Sequence, residues 1–421
     1  MNTAGLSTDQ APPLAVPLSF YALVPVAMIA GGALLLVDGG VLLLTSWLPR
    51  TIALVHVATI GVLLAVMFGS LYQMVPVVAG ARVPAIHLSF AVLAGLAVGG
   101  GALVVGLWTG NPAMLRVATF TLAGAIVLFV APVSLALARA RGGETLFGMR
   151  IAMGSLIALA TLGLRLLWGH ASGDMPLARA IMLVAHVDLA LVGWVGGLIT
   201  AVSWQVVPMF YLTESFPTRR AKIIAWVLLG SVVGVFLAAM FGGSLLLVIA
   251  TALPGAVVVF VVQPVTLGLM IRGRRRRRRD PTLQFWWLAL ATAPLVLASA
   301  LATWLGEWAP STLLLGWLAI FGFAGATVHG MLTRIIPFLV WFHRFASLAG
   351  IADVPPMKRL LPDGQVRVQL VAHAATLVVG ALAIALQRDL LARITGALIG
   401  ITGVLLGAAL VSVLWRARPT S

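Results

Sequence analysis

Long apolar runs, broken by short polar and basic stretches, dominate the chain. A helix needs roughly 20 apolar residues to cross about 30 Å of hydrocarbon. Twelve runs meet that length, at 18–37, 52–77, 84–107, 114–138, 149–168, 180–210, 222–241, 244–271, 284–305, 312–341, 368–386 and 390–414. They are too long, and too evenly apolar, for the alternating strands of a membrane barrel. The pattern predicts an all-α polytopic membrane protein, one membrane domain over residues 1–421 with a tail at 1–17. The first run opens at Leu18 after a Pro-containing polar tail, with no basic flank and no small-residue cleavage site. It reads as a retained helix rather than a signal peptide.

Composition narrows the classes. The chain is 61% hydrophobic and 9% charged, against about 45–50% and about 25% in soluble domains. That excludes a soluble enzyme, a disordered chain and a secreted disulfide scaffold. The absence of cysteine excludes disulfides, thiolate metal sites, iron–sulfur clusters and thiol catalysis. The net charge of +16 has a topological explanation: 20 Lys and Arg fall on one side of the spans, six on the other, and Arg334 lies inside the tenth. Basic loops stay in the cytoplasm, so both termini are expected there. The run Arg274 to Arg279 reads as a topogenic loop against anionic lipid headgroups. No nucleic-acid-binding domain accompanies it. Trp47, Trp108, Trp168, Trp304 and Trp308 at outer span ends, and Trp226, Trp286, Trp341 and Trp415 nearer inner ends, read as interfacial belts.

Three segments repeat. Gly69-Ser-Leu-Tyr-Gln-Met-Val-Pro76, Ala201-Val-Ser-Trp-Gln-Val-Val-Pro208 and Gly330-Met-Leu-Thr-Arg-Ile-Ile-Pro337 each end a span. A glycine stands 15 positions before each proline (Gly61, Gly193, Gly322), and a polar residue three before it (Gln73, Gln205, Arg334). Each copy is the second helix of a group of four. The chain therefore divides into pseudo-repeats at 18–138, 149–271 and 284–414, three four-helix arcs with spans 2, 6 and 10 expected inside. Ordinary close helix packing through small residues is the plain alternative.

Ionisable residues within a membrane are costly and usually face the bundle interior. His56 and His186 lie near the outer starts of spans 2 and 6, with Asp188 two positions after the latter; His170 is in the adjacent outer loop. His87, His329, His343 and His373 fall on the inner side. Neutral imidazole ligates metals and haem iron. His56 and His186 are thus candidates for haem or a metal, and His329 and His373 for a metal. Packing histidines that hydrogen-bond locally are the bland reading. His56 is 20 residues before its proline and His186 is 22 before its own, a difference of roughly 200° of helix turn. Arg388 and Arg393, in the outer turn between the last two spans, are either anion-binding residues or solvated loop residues. Arg165 and Asp188 are expected to pair across the outer leaflet, and Arg334 to snorkel inward. No phosphate loop or serine triad is present, and few carboxylates lie deep in a span.

Helix 6, from Ala185-His-Val-Asp-Leu to Trp204-Gln-Val-Val-Pro208, and helix 2, from Leu54-Val-His-Val-Ala-Thr-Ile-Gly to Tyr72-Gln-Met-Val-Pro76, resemble the histidine-bearing helices of the haem–copper oxidase subunit I superfamily. The related NnrS-type haem and copper membrane proteins are similar in size and span number. Gly330-Met-Leu-Thr-Arg-Ile-Ile-Pro-Phe-Leu-Val-Trp-Phe-His343 resembles uncharacterised members of that group. The resemblance implies His56 as a low-spin haem ligand, His186 at the copper-ligand place, and Arg388 and Arg393 holding haem propionates. The departures are specific: no histidine in span 7, Trp317 and Gly322 where the oxidases carry His-X-His, and Ala190 where they carry tyrosine. What the resemblance then implies is a simpler site for haem b or copper in a bacterial-type inner membrane. The role would be electron transfer, or nitric-oxide or respiratory-stress handling, with a redox partner or small gas ligand. The alternative class is a permease for a small solute or metal ion.

Overall fold

The computed structural model describes residues 10–275, 280–306, 308–348, 351 and 353–418. Residues 1–9 of the N-terminal tail, and Arg276 to Arg279 of the arginine run, lie outside the described residues. Among the described residues twelve helices are long and apolar enough to cross a membrane, and there is no strand. They are α1 (Ala15–Leu43), α2 (Pro49–Ala79), α3 (Ile86–Thr109), α4 (Pro112–Arg139), α5 (Glu144–Ser172) and α6 (Arg179–Tyr211). The rest are α7 (Thr218–Met240), α8 (Leu245–Arg272), α9 (Pro281–Leu305), α10 (Ser311–Leu348), α11 (Asp363–Leu386) and α12 (Asp389–Arg416). All twelve runs of the sequence are therefore helices, and the protein is an integral membrane protein with the bilayer as its solvent.

The helices overrun the apolar runs at their ends, because polar interfacial residues extend a helix that hydropathy alone would stop. α5 continues past Trp168 to Ser172 and ends at Gly173, whose φ of +80° suits a left-handed C-terminal cap. His170 thus sits in the last turn of α5, not in a loop. The α3–α4 turn shows complete local chemistry. Gly110 takes φ +67°, Asn111 Oδ1 accepts from the Ala113 and Met114 amides, and Pro112 opens α4.

The chain forms two compact units, one built on Leu71–Arg278 and the other on Pro13–Ser70 with Arg279–Ser421. The first holds α3–α8. Its α3–α4 hairpin is pressed together at Gly95, Gly99 and Gly106, where a Cβ would lie 2.8 Å from Ala125, 2.8 Å from Leu122 and 2.6 Å from Leu115. The second holds α1, most of α2, and α9–α12. Here α1 and α12 meet backbone to backbone, since a Cβ on Gly32 or Gly396 would run into the other helix's main chain. In lipid there is no hydrophobic gain from bringing two apolar helices together, so close packing through small residues carries the association.

Three helix pairs share one register. In α1–α2, Gly61 packs on Ala27 and Gly69 on Phe20. In α5–α6, Gly193 packs on Ser155 and Ala201 on Gly148. In α9–α10, Gly322 packs on Thr292 and Gly330 on Phe285. The partners are seven residues apart on the first helix and eight apart on the second in every case. The second helix of each pair also widens into a π-helical stretch, at Thr59–Leu64, Leu189–Gly196 and Leu318–Gly325, ending twelve residues before Pro76, Pro208 and Pro337. This register belongs to the three pairs; the wider division into three arcs rests on the sequence pattern.

Candidate functional site

π-helical turns displace the regular i→i−4 ladder and release carbonyls to other donors. In α6 the Leu189 carbonyl accepts from Ser155 Oγ at 2.8 Å. In α10 the Phe321 carbonyl accepts from a histidine of α11, His373 Nε2, at 3.1 Å. That bond is one end of a polar chain within an apolar unit.

α11 buries a stripe containing Val366, Gln369, His373, Leu377 and Gly380. Gln369 and His373 are four residues apart, so they lie one above the other on the same face. α10 brings His329, four residues past its π-helical stretch, onto them. His329 Nε2 lies 3.0 Å from Gln369 Oε1, and His329 Nδ1 lies 3.2 Å from His373 Nδ1. Gln369 Nε2 donates to the Gln365 carbonyl at 3.4 Å, and its Oε1 faces His329. His329 is 4% exposed, and His373 and Gln369 are 1% exposed.

Aromatic rings enclose the pair. Phe321 stacks on His373 with centroids 4.4 Å apart, and Trp317 stacks on Phe321 at 4.7 Å. Phe285 of α9 leans on His329 at 4.9 Å and on His373 at 5.7 Å. Trp317 is itself anchored, donating Nε1–H to the Leu377 carbonyl at 2.9 Å across the flat face that Gly380 leaves on α11.

The hydrogen bonds set the tautomers. A carbonyl oxygen only accepts, so both Nε2 atoms carry hydrogen, one toward Gln369 and one toward Phe321. In the neutral rings both Nδ1 atoms then carry lone pairs, and these face each other. Two imidazole nitrogens held in this way are the condition for sharing one cation.

The other expected residues stand elsewhere. His56 of α2 is half-buried, with Nδ1 2.8 Å from the Ile52 carbonyl. His186 of α6 is half-buried, with Nδ1 3.0 Å from the Leu159 carbonyl of α5 and its ring against Gly163. By the same rule both are Nδ1–H tautomers with the lone pair on Nε2. His56 belongs to one compact unit and His186 to the other. His87 is exposed, and His343 Nδ1 lies 2.9 Å from the Leu339 carbonyl of its own helix. Arg388 is exposed at the start of α12. Arg393 bonds Asp389 Oδ2 at 2.7 Å and the Leu36 and Val37 carbonyls at 2.8 and 2.7 Å. Gly40 donates to Asp389 Oδ1 at 2.7 Å, so this group ties α12 to the end of α1. A propionate at Arg393 would have to share these bonds. Among the described residues no three His, Asp or Glu side chains converge as a metal group.

Three sequence expectations need correction. Arg165 does not pair with Asp188; it reaches outward to Asp174, bonding the carbonyl at 3.0 Å and the carboxylate at 3.3 Å. A long side chain near a helix end gains more from that rim than from crossing the leaflet. Arg334 does not run free to the inner surface but pairs with Asp280, the residue that caps α9. Trp286 is no belt residue: it is 2% exposed inside its unit. Sequence reasoning also missed Gln369, whose signal was its place one turn before His373. It missed a buried network in the other unit too, where Gln263 of α8 accepts from Trp204 Nε1 at 3.2 Å and donates to Ser203 at 2.8 Å.

Comparison with protein-family models and with curated proteins gives no match.

Proposed function

We propose that this chain is a membrane metal protein that carries haem b or copper on its intramembrane imidazoles. It works in electron transfer or in nitric-oxide or respiratory-stress handling, as the likeness to oxidase subunit I suggests. One observation carries the reading. Each of His56, His186, His329 and His373 donates one ring N–H to a carbonyl-type acceptor. Metal-ligating histidines are oriented in this manner. Haem, if bound, would supply the one-electron and gas-ligand chemistry; His56 or His186 would hold its iron and the apolar surroundings would tune it. The test is a visible spectrum of detergent-purified protein, oxidised and dithionite-reduced, with elemental analysis of the same sample. The expected result is a Soret band with a sharp reduced α band lost in His56→Ala, or bound copper. A colourless, metal-free protein would contradict it.

The second reading is a permease, favoured by the division into two units of six spans each. Solute or ion uptake into proteoliposomes, by a preparation without haem or metal, would establish it instead.

A further inference from the structure

We propose that His329 and His373 form a binding site for a single soft monovalent metal ion, Cu+, held through their two Nδ1 atoms. This narrows the reading above to one pair of nitrogens and one metal, and rests on it only for the general idea of a metal protein.

The nitrogens are chosen by the hydrogen bonds. With both Nε2–H groups directed to Gln369 Oε1 and the Phe321 carbonyl, only the Nδ1 atoms are left to ligate. They stand 3.2 Å apart. With metal–nitrogen bonds of about 2.0 Å, that separation subtends an angle of about 105° at the metal. The separation lets both nitrogens reach one ion, and the bent arrangement leaves a further position for a small exogenous ligand.

The charge of the ion follows from its surroundings. Both ligands are neutral, and their ring neighbours are Phe285 and Phe321. Among the described residues no carboxylate bonds either imidazole. The cost of burying an ion rises with the square of its charge, so a dication costs about four times as much as a monocation here. Zn2+ and Ni2+ sites commonly bring anionic ligands to offset that cost; this one has none. Imidazole suits copper among the monovalent ions, and facing aromatic rings further favour a cation. Alkali ions prefer oxygen donors, which the two Nδ1 atoms do not offer.

The orienting groups are built into the fold. The Phe321 carbonyl lies in the π-helical stretch of α10, and Gln369 bonds the Gln365 carbonyl of its own helix. Gln369 is a positioning residue: it acts through the His329 tautomer and does not touch the ion.

The test is an anaerobic titration of full-length, metal-stripped protein in detergent with Cu+ buffered by a chromogenic chelator. Copper X-ray absorption on the loaded sample completes it. The expected result is one Cu+ per chain with two nitrogen ligands at about 2.0 Å, lost in His329→Gln/His373→Gln and kept in His170→Ala. Gln369→Leu should weaken binding about 10- to 100-fold, while Gln369→Glu, which keeps an acceptor, restores it. Size-exclusion profiles and thermal unfolding show that each variant is folded. Cu+ uptake no greater than in the double variant would overturn the proposal, and so would Zn2+ bound in preference to Cu+ or a proton held between the nitrogens that Cu+ cannot displace. A haem spectrum without Cu+ uptake would sink this site and leave the proposed function standing. Cu+ uptake by a haem-free protein would support the site and remove the haem half of that function.

Discussion

Single residues carry more than packing at three kinds of place. The first is the imidazole pair, where Gln369 and the Phe321 carbonyl decide which nitrogens face inward. The second is the capping position after a helix. Leu212 follows α6 with φ +54° and Gln387 follows α11 with φ +50°, both in the left-handed region. Gln387 offsets some of the cost by donating Nε2–H to the Ile384 carbonyl at 2.8 Å. Leu212 is exposed; its amide donates to the Pro208 carbonyl and its carbonyl accepts from the Arg275 amide, with no side-chain bond to offset the strain. Relief of left-handed strain is worth about 1 kcal/mol, so Leu212→Gly should raise the thermal unfolding midpoint in detergent. No change, or a fall, would show that the turn is not strained. The third place is Arg393, whose two bonds to the Leu36 and Val37 carbonyls join α12 to the end of α1. Net hydrogen bonds are worth about 1 kcal/mol each, less here because the side chain is 41% exposed. Arg393→Ala should therefore cost stability whether or not haem is bound. If it lowered haem content and left stability unchanged, a propionate role would replace the structural one.

At the scale of elements, the shared register of α1–α2, α5–α6 and α9–α10 makes a sharp prediction. Gly193 has no room for a side chain against Ser155, whereas Gly230 of α7 and Gly124 of α4 have open space around them. Gly193→Val should destabilise by about 1–3 kcal/mol, while Gly230→Ala should be neutral or better. Fluorescence-detected size exclusion after heating separates the cases, and equal behaviour would deny the close approach. Much of this was readable in the chain. The glycine 15 places before each proline marks the close approach, and the twelve apolar runs mark the helices because the bilayer sets their length. What could not be read was tertiary. His329 and His373 stood out as ionisable residues in spans, but their pairing depends on how α10 packs on α11. Arg165 met Asp174 and not Asp188 because the end of α5 turns back toward it. The π-helical stretches left no sequence sign beyond the glycines inside them.

For the whole molecule, the two compact units describe how the chain packs, and the basic loops predict how it crosses the membrane. Because the chain lacks cysteine, single introduced thiols report topology cleanly. Gly110→Cys, in the α3–α4 turn, should react with a membrane-impermeant maleimide in intact cells. Gly142→Cys, in the α4–α5 turn, should react only after lysis. The reverse pattern would invert the topology expected from the Lys and Arg count.

The most direct test of the central claim is the 15N spectrum of the His329 and His373 rings, taken in bilayers before and after one equivalent of Cu+ and assigned with single His→Asn variants. The account predicts Nε2–H on both rings in both samples and a shift of both Nδ1 signals on adding the metal. A hydrogen found on Nδ1 of either ring after copper addition, with no signal moved, would contradict it.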